Sequence, residues 1–101
     1  MKRLHILIKG IVQGVGFRPF IYNLAKGLDI NGYVTNTSGG VIIEAEGERL
    51  SVFIKSIQTQ LPPLAKIDNI ETHEMPAKGY ENFSIIKSVE QGGFTLITPD
   101  M

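Results

Sequence analysis

The chain has 101 residues, ten Lys+Arg against ten Asp+Glu, 43% hydrophobic residues and no cysteine. That length makes one domain, able to bury about two-thirds of its unfolded surface, and the hydrophobic content excludes a disordered chain. The balanced charge argues against a nucleic-acid binder, which needs a net basic face, and the missing cysteines exclude disulfides and thiolate metal sites.

The N-terminal run from Met1 to Lys9 is interrupted by His5 and Lys9, and no small-residue cleavage site follows. It therefore reads as a strand and not as a signal peptide. Leu4, Ile6 and Ile8 alternate with His5 and Lys9 and predict a first strand over 3–12. No segment has the length of a membrane span, so a cytoplasmic location with no membrane partner is expected. From Pro19 the period changes. Phe20, Ile21, Leu24, Ala25 and Leu28 fall on one helical face, and Pro19 suits the first helical position. Residues 32–37 are rich in β-formers and predict a second strand. Ser38-Gly39-Gly40 is a short hairpin connection into a third strand, with Val41, Ile43 and Ala45 on one face and Ile42, Glu44 and Glu46 on the other.

Leu50, Phe53, Ile54, Ile57 and Leu61 recur at helical spacing and predict a second helix near 48–60, stopped by Pro62-Pro63. A weaker fourth strand follows at 66–74, then a loop at Met75–Gly79, then a last strand from Phe83 to Lys87. The order β-α-β-β-α-β plus a short terminal strand predicts an α+β ferredoxin-like sandwich. One antiparallel sheet would carry both helices on one face. The apolar Phe94-Thr95-Leu96-Ile97 patch has no partner in that unit.

The stretch from Lys9 to Pro19 carries the most chemistry. A strand runs into glycines at 14 and 16, and Arg18 follows at once at a predicted helix start. Such glycines let consecutive N–H groups face one concavity, the helix N-terminus adds partial positive charge, and Arg18 offers a forked cationic donor. This suits a small phosphate-bearing ligand. A ligand-free strand-to-helix turn would use glycines in the same way. The stretch lacks the lysine of the common nucleotide-binding P-loop and the third glycine of the dinucleotide fingerprint.

Gly10-x-Val12-Gln13-Gly14-Val15-Gly16-Phe17-Arg18, then Gly32-Tyr33-Val34-x-Asn36, Val41-x-x-x-Ala45-x-Gly47 and Pro62-Pro63-Leu64-Ala65-x-Ile67-Asp68, resembles the acylphosphatase family over residues 4–88. The resemblance implies the fold already reached from the pattern. It also implies that the backbone N–H groups of Gln13, Gly14, Val15, Gly16, Phe17 and Arg18 cradle a phosphate. Arg18 would clamp that phosphate and Asn36 would hold the attacking water, which makes these two the expected catalytic residues. Thr37 stands next to Asn36, either to orient it or only as a β-branched strand residue.

Phe17-Arg18-Pro19-Phe20 narrows the resemblance to the N-terminal domain of the nickel–iron hydrogenase maturation carbamoyltransferases. In those proteins the domain precedes a cysteine-rich zinc-finger module and is implicated in hydrolysing carbamoyl phosphate. The carbamate is then adenylated by later domains and delivered to a partner protein for cyanide-ligand synthesis. The resemblance implies a domain at 1–90 and a connector at 91–101 leading to downstream domains. It implies no cofactor or metal in this domain, since zinc, ATP and the partner-binding surfaces belong to other parts. Two rivals stay open. One is a free-standing acylphosphatase of broad specificity. The other is a non-catalytic ferredoxin-like module that binds an anion or a partner protein.

Other polar residues read as structural. His5 and His73 lack metal-ligand spacing. Glu44 and Glu46 share one strand face and read as a solvated surface, as do Glu48 and Arg49 at a helix start. Ser38 is a turn residue with no base near it in sequence.

Overall fold

The computed structural model describes residues 2–86. Strand β1 (Lys2–Ile11) buries Ile6 and Ile8 completely on one face, as its alternation requires. Helix α1 (Phe17–Gly27) buries Phe17, Ile21 and Ala25, a single stripe of every fourth residue. Strands β2 (Asn31–Thr37) and β3 (Gly40–Gly47) form a hairpin, and α2 (Leu50–Thr59) buries Leu50, Phe53 and Ile57. Strands β4 (Lys66–Met75) and β5 (Phe83–Ile86) complete the order. The two helical stripes pack on Ile6, Ile8, Val34, Val41, Ile43 and Ala45 of the sheet, all at 0% exposure. Each of the isoleucines and valines contributes about 1.5–3 kcal/mol on leaving water.

The sheet runs β4-β1-β3-β2-β5. The ferredoxin-like architecture expected from the pattern is present, with one difference. The first four strands pair antiparallel, but β5 joins β2 in parallel, so the sheet is mixed. The cause is the 76–82 connection. Strand β4 ends at Met75 beside Arg3, and β5 starts at Phe83 beside Gly32, the two ends lying at opposite edges of the sheet. The connection crosses beneath β1 and β3 and enters at the end where β2 begins. It is pegged on the way, as the Arg3 Nε donates to the Pro76 carbonyl at 2.9 Å and Asn31 Nδ2 to the Tyr80 carbonyl at 3.2 Å.

Helix α1 also begins two residues before the expected Pro19, at Phe17. Proline is tolerated there because first-turn N–H groups have no intrahelical acceptor. No described helix is long and apolar enough to cross a membrane. The expected strand end at Lys87 and the connector at 91–101 lie outside the described residues.

Candidate active site

The site is assembled where β1 hands over to α1. Pairing of β1 with β4 breaks register between Lys9 and Gly10, and a bulge of this kind re-aims the chain that follows. Val12, 1% exposed, anchors the turn in the core, while Gln13, Gly14 and Gly16 face solvent. Gly14 has φ 74° and Gly16 φ 78°, both left-handed. A Cβ at either position would meet nothing within 4 Å. Backbone conformation, and not lack of room, is therefore what asks for glycine here.

Gly16 caps α1, no side chain caps it, and no acidic residue stands in its first turn. The first closing bond is donated by the Phe20 N–H to the Gly16 carbonyl at 3.2 Å. The N–H groups of Phe17 and Arg18 precede it and have no acceptor within the helix, at its partially positive end. Phe17 contributes only that N–H to the surface. Its ring is 2% exposed and packs against Phe20 with centroids 5.7 Å apart. Val15 is half-buried against the same core.

Arg18 is half-buried as a residue, and its Nη1 donates an exposed bond to the Ile86 carbonyl at 3.5 Å, a long one. Ile86 pairs with Thr35 of β2. Arg18 thus bonds to the strand that pairs with the one carrying Asn36. Asn36 lies opposite Val41, on the same face of β2 as the fully buried Val34, and is 9% exposed. Its Oδ1 is buried without a hydrogen-bond partner. Leaving such an acceptor unpaired costs about 1–3 kcal/mol, so the fold retains an acceptor here at the expense of stability.

Gln13 has a role that the sequence did not disclose. Its Nε2 donates to the Thr37 carbonyl at 2.7 Å and the Gly40 carbonyl at 2.9 Å. This ties the glycine turn to the β2–β3 hairpin. The Thr37 hydroxyl accepts from the Gly39 N–H at 3.1 Å and donates to the Gly40 carbonyl at 3.4 Å, so it closes the hairpin and makes no direct bond to Asn36. A depression of about 290 Å³ lies between Gly10–Gln13 and Ser38–Gly40, beside the turn.

The sequence that builds this site matches a family model of acylphosphatase over residues 4–85. The chain belongs to the acylphosphatase family. It is 44% identical over 100 residues to a carbamoyltransferase HypF from Rhizobium leguminosarum bv. viciae, covering 99% of this chain and 13% of that protein. It is also 44% identical over 88 residues to an acylphosphatase from Thermotoga petrophila, covering 84% of this chain and 97% of that one. The chain thus spans about an eighth of its carbamoyltransferase relative and nearly all of its acylphosphatase relative. Among solved structures, a full-length HypF in a phosphate- and nucleotide-bound form superposes with TM-score 0.86 at 45% identity. That match covers 99% of this chain and 14% of that one. An acylphosphatase from Bacillus subtilis superposes with TM-score 0.81 at 34% identity, covering 85% and 99%.

This acylphosphatase domain carries a second polar cluster on the sheet face away from the helices. Glu44 and Glu46, expected to be solvated, are 4% and 1% exposed. The expectation fails because the 76–82 connection folds back against this end of the sheet. Glu44 takes a hydrogen bond from Arg3 Nη1 and pairs with the Nδ1 of His5. Glu46 accepts from the backbone N–H groups of Lys78, Gly79 and Tyr80. Burial pushes the Glu46 carboxyl up, but those three N–H groups and Arg3 outweigh it and hold the group below its ordinary range. The Glu44 bond raises Arg3, and burial, followed by the Glu44 charge, raises the phenols of Tyr33 and Tyr80. Among the described residues, none of these side chains hydrogen-bonds to the glycine turn or to the hairpin mouth at 36–40.

Proposed function

We propose that this domain hydrolyses an acyl phosphate, foremost carbamoyl phosphate, as the phosphatase part of a hydrogenase-maturation carbamoyltransferase. One observation carries the reading. A turn with left-handed Gly14 and Gly16 opens the helix whose first turn carries Arg18, and β2 holds a buried, unpartnered amide oxygen on Asn36.

The phosphoryl group lies in the turn, on the N–H groups from Gln13 to Arg18, and the Arg18 fork takes its peripheral oxygens. Charge concentrates on those oxygens in the loose transition state, so donors already in place lower the barrier. Asn36 Oδ1 accepts a hydrogen bond from water and sets it in line with the phosphorus. The water oxygen bonds to phosphorus as the bond from phosphorus to the acyl oxygen breaks. Carbamate leaves with that electron pair, and the water proton passes to the phosphate product or to solvent. A carbamate or carboxylate is a good leaving group, which suits a turn and hairpin (10–18 and 35–40) that hold no His, Asp or Glu.

The carbamoyl assignment rests on the similarity to HypF, which runs over nearly the whole chain, further than the similarity to the free acylphosphatase. In that setting the domain spans 1–90, residues 91–101 connect it to downstream domains that consume the carbamate, and it uses no cofactor of its own. Near-complete coverage of a free acylphosphatase favours a second reading, a broad-specificity hydrolase. Phosphate release from carbamoyl phosphate and acetyl phosphate, with Arg18→Ala as control and spontaneous decay subtracted, tests both. Arg18-dependent release favouring carbamoyl phosphate supports the first reading, and equal release supports the second. Phosphate binding without release would replace both with an anion-binding module.

A further inference from the structure

We infer that the Gln13 side chain is a positioning residue that fixes the distance between the bound phosphoryl group and the attacking water. The inference rests on the hydrolytic reading above and goes beyond it, because that reading uses only the Gln13 backbone. The cradle and the water site belong to different elements. The cradle is the turn between β1 and α1, and Asn36 is the penultimate residue of β2. Backbone pairing does not join the turn itself to the hairpin, since the β1–β3 ladder stops at Ile8 opposite Val41. Gln13 spans that gap. It donates to the carbonyl of Thr37, the residue next to Asn36, and to that of Gly40 across the hairpin.

Both amide hydrogens of Gln13 are committed to carbonyls, which fixes the orientation of the amide. The flipped form would set its oxygen against two carbonyl oxygens. Two bonds of 2.7 and 2.9 Å hold the side chain at both sides of the hairpin mouth. The Thr37 hydroxyl rigidifies the same mouth through Gly39 and Gly40. The Gln13 backbone therefore moves with the phosphate cradle while its side chain moves with the strand end that bears Asn36. In-line attack tolerates little error, and a misplacement near 1 Å costs about a hundredfold in rate. Phosphate affinity needs only the turn and Arg18, so loosening the tether separates binding from turnover.

The test uses Gln13→Met, which keeps length and removes both donors, and Gln13→Glu, which keeps shape and reverses polarity. Carbamoyl phosphate turnover and competitive inhibition by inorganic phosphate are measured, with circular dichroism as the check on folding. For Gln13→Met the expected kcat falls about 10- to 100-fold while the phosphate inhibition constant stays within about threefold of wild type. For Gln13→Glu the ionised carboxylate repels both carbonyls. Its kcat relative to wild type recovers as pH falls through the range near 4.3 where a carboxyl regains a donor proton. An unchanged kcat in a folded Gln13→Met overturns the inference, as does loss of phosphate binding in step with kcat. If Gln13→Met does not fold, a flat Gln13→Glu ratio across that pH range overturns it instead. A wild type that releases no phosphate overturns the hydrolytic reading and this inference together. An active wild type with an indifferent Gln13 overturns this inference alone.

Discussion

Glu46, near the end of β3, accepts the backbone N–H of Gly79 through both carboxylate oxygens, at 3.1 and 3.0 Å. With Lys78 and Tyr80 also donating, one carboxylate gathers three consecutive N–H groups of the connection that carries the chain to β5. The parallel strand at the sheet edge, and with it the Ile86 carbonyl that meets Arg18, hangs on this side chain at the opposite end of the sheet.

Removing that acceptor charge is predicted to destabilise the fold through the 76–82 connection. At neutral pH Glu46→Gln loses about 1–3 kcal/mol, because one amide oxygen replaces two carboxylate oxygens for buried donors. The sign of the pH dependence follows from the lowered carboxyl. Below its ordinary value of 4.5 the unfolded chain takes up a proton first while the folded chain still resists. The stabilisation is thus present above 4.5 and is lost as pH falls through the lower folded value. Denaturant midpoints of wild type and Glu46→Gln should therefore converge on acidification. A gap that stays constant from pH 7 to pH 3 contradicts the assignment.

The helices, the hairpin and the glycine turn were legible because each is a local pattern. Ile21 and Ala25 of the helical face, the alternation of β1 and the Gly14–Arg18 stretch are all short-range, although Phe17 joins the buried stripe ahead of the expected start at Pro19. What stayed hidden depends on contacts across the chain. Glu44 and Glu46 alternate on one strand face as solvated residues would, and only the returning 76–82 segment, more than thirty residues later, buries them. The direction of β5 was hidden for the same reason, since a short loop after β4 suits a hairpin until its pegs to Arg3, Glu46 and Asn31 are seen. Gln13 was legible as a member of the cradle, but the reach of its side chain to Thr37 and Gly40 was not.

Arg18 and Asn36 are predicted to separate binding from chemistry. Arg18→Ala removes a charged, forked donor from the phosphate, and inorganic phosphate should bind about 10- to 100-fold more weakly, with turnover lost in parallel. Arg18→Lys restores charge without the fork and recovers only part of the affinity. Titration calorimetry with phosphate reads this directly, and wild-type affinity in Arg18→Ala rules the cradle out as the phosphate site.

Asn36→Ala is predicted to do the reverse. Turnover falls about a hundredfold or more as the water loses its anchor, while phosphate affinity stays near wild type. Stability is predicted to hold or to rise by up to about 1 kcal/mol, because the substitution deletes a buried oxygen that has no partner in the folded chain. A thermal midpoint several degrees below wild type would show that the amide serves the fold and not the reaction.

Gly16 permits a test of backbone shape apart from crowding. A Cβ there meets nothing within 4 Å, so any effect of Gly16→Ala comes from φ 78° and not from a clash. The left-handed conformation costs an L-residue roughly 1–2 kcal/mol. The chain can accept that cost, or it can relax φ and turn the first N–H groups of α1 away from the cradle. Gly16→Ala is therefore predicted to lose about 1–2 kcal/mol of stability, to lose phosphate affinity, or to divide the effect between the two. Gly16→Asn separates strain from lost backbone freedom, since asparagine visits the left-handed region at lower cost than alanine. It should bind phosphate more tightly than Gly16→Ala and unfold at higher denaturant. Equal behaviour of the two variants would mean that the turn does not depend on a left-handed residue at this position.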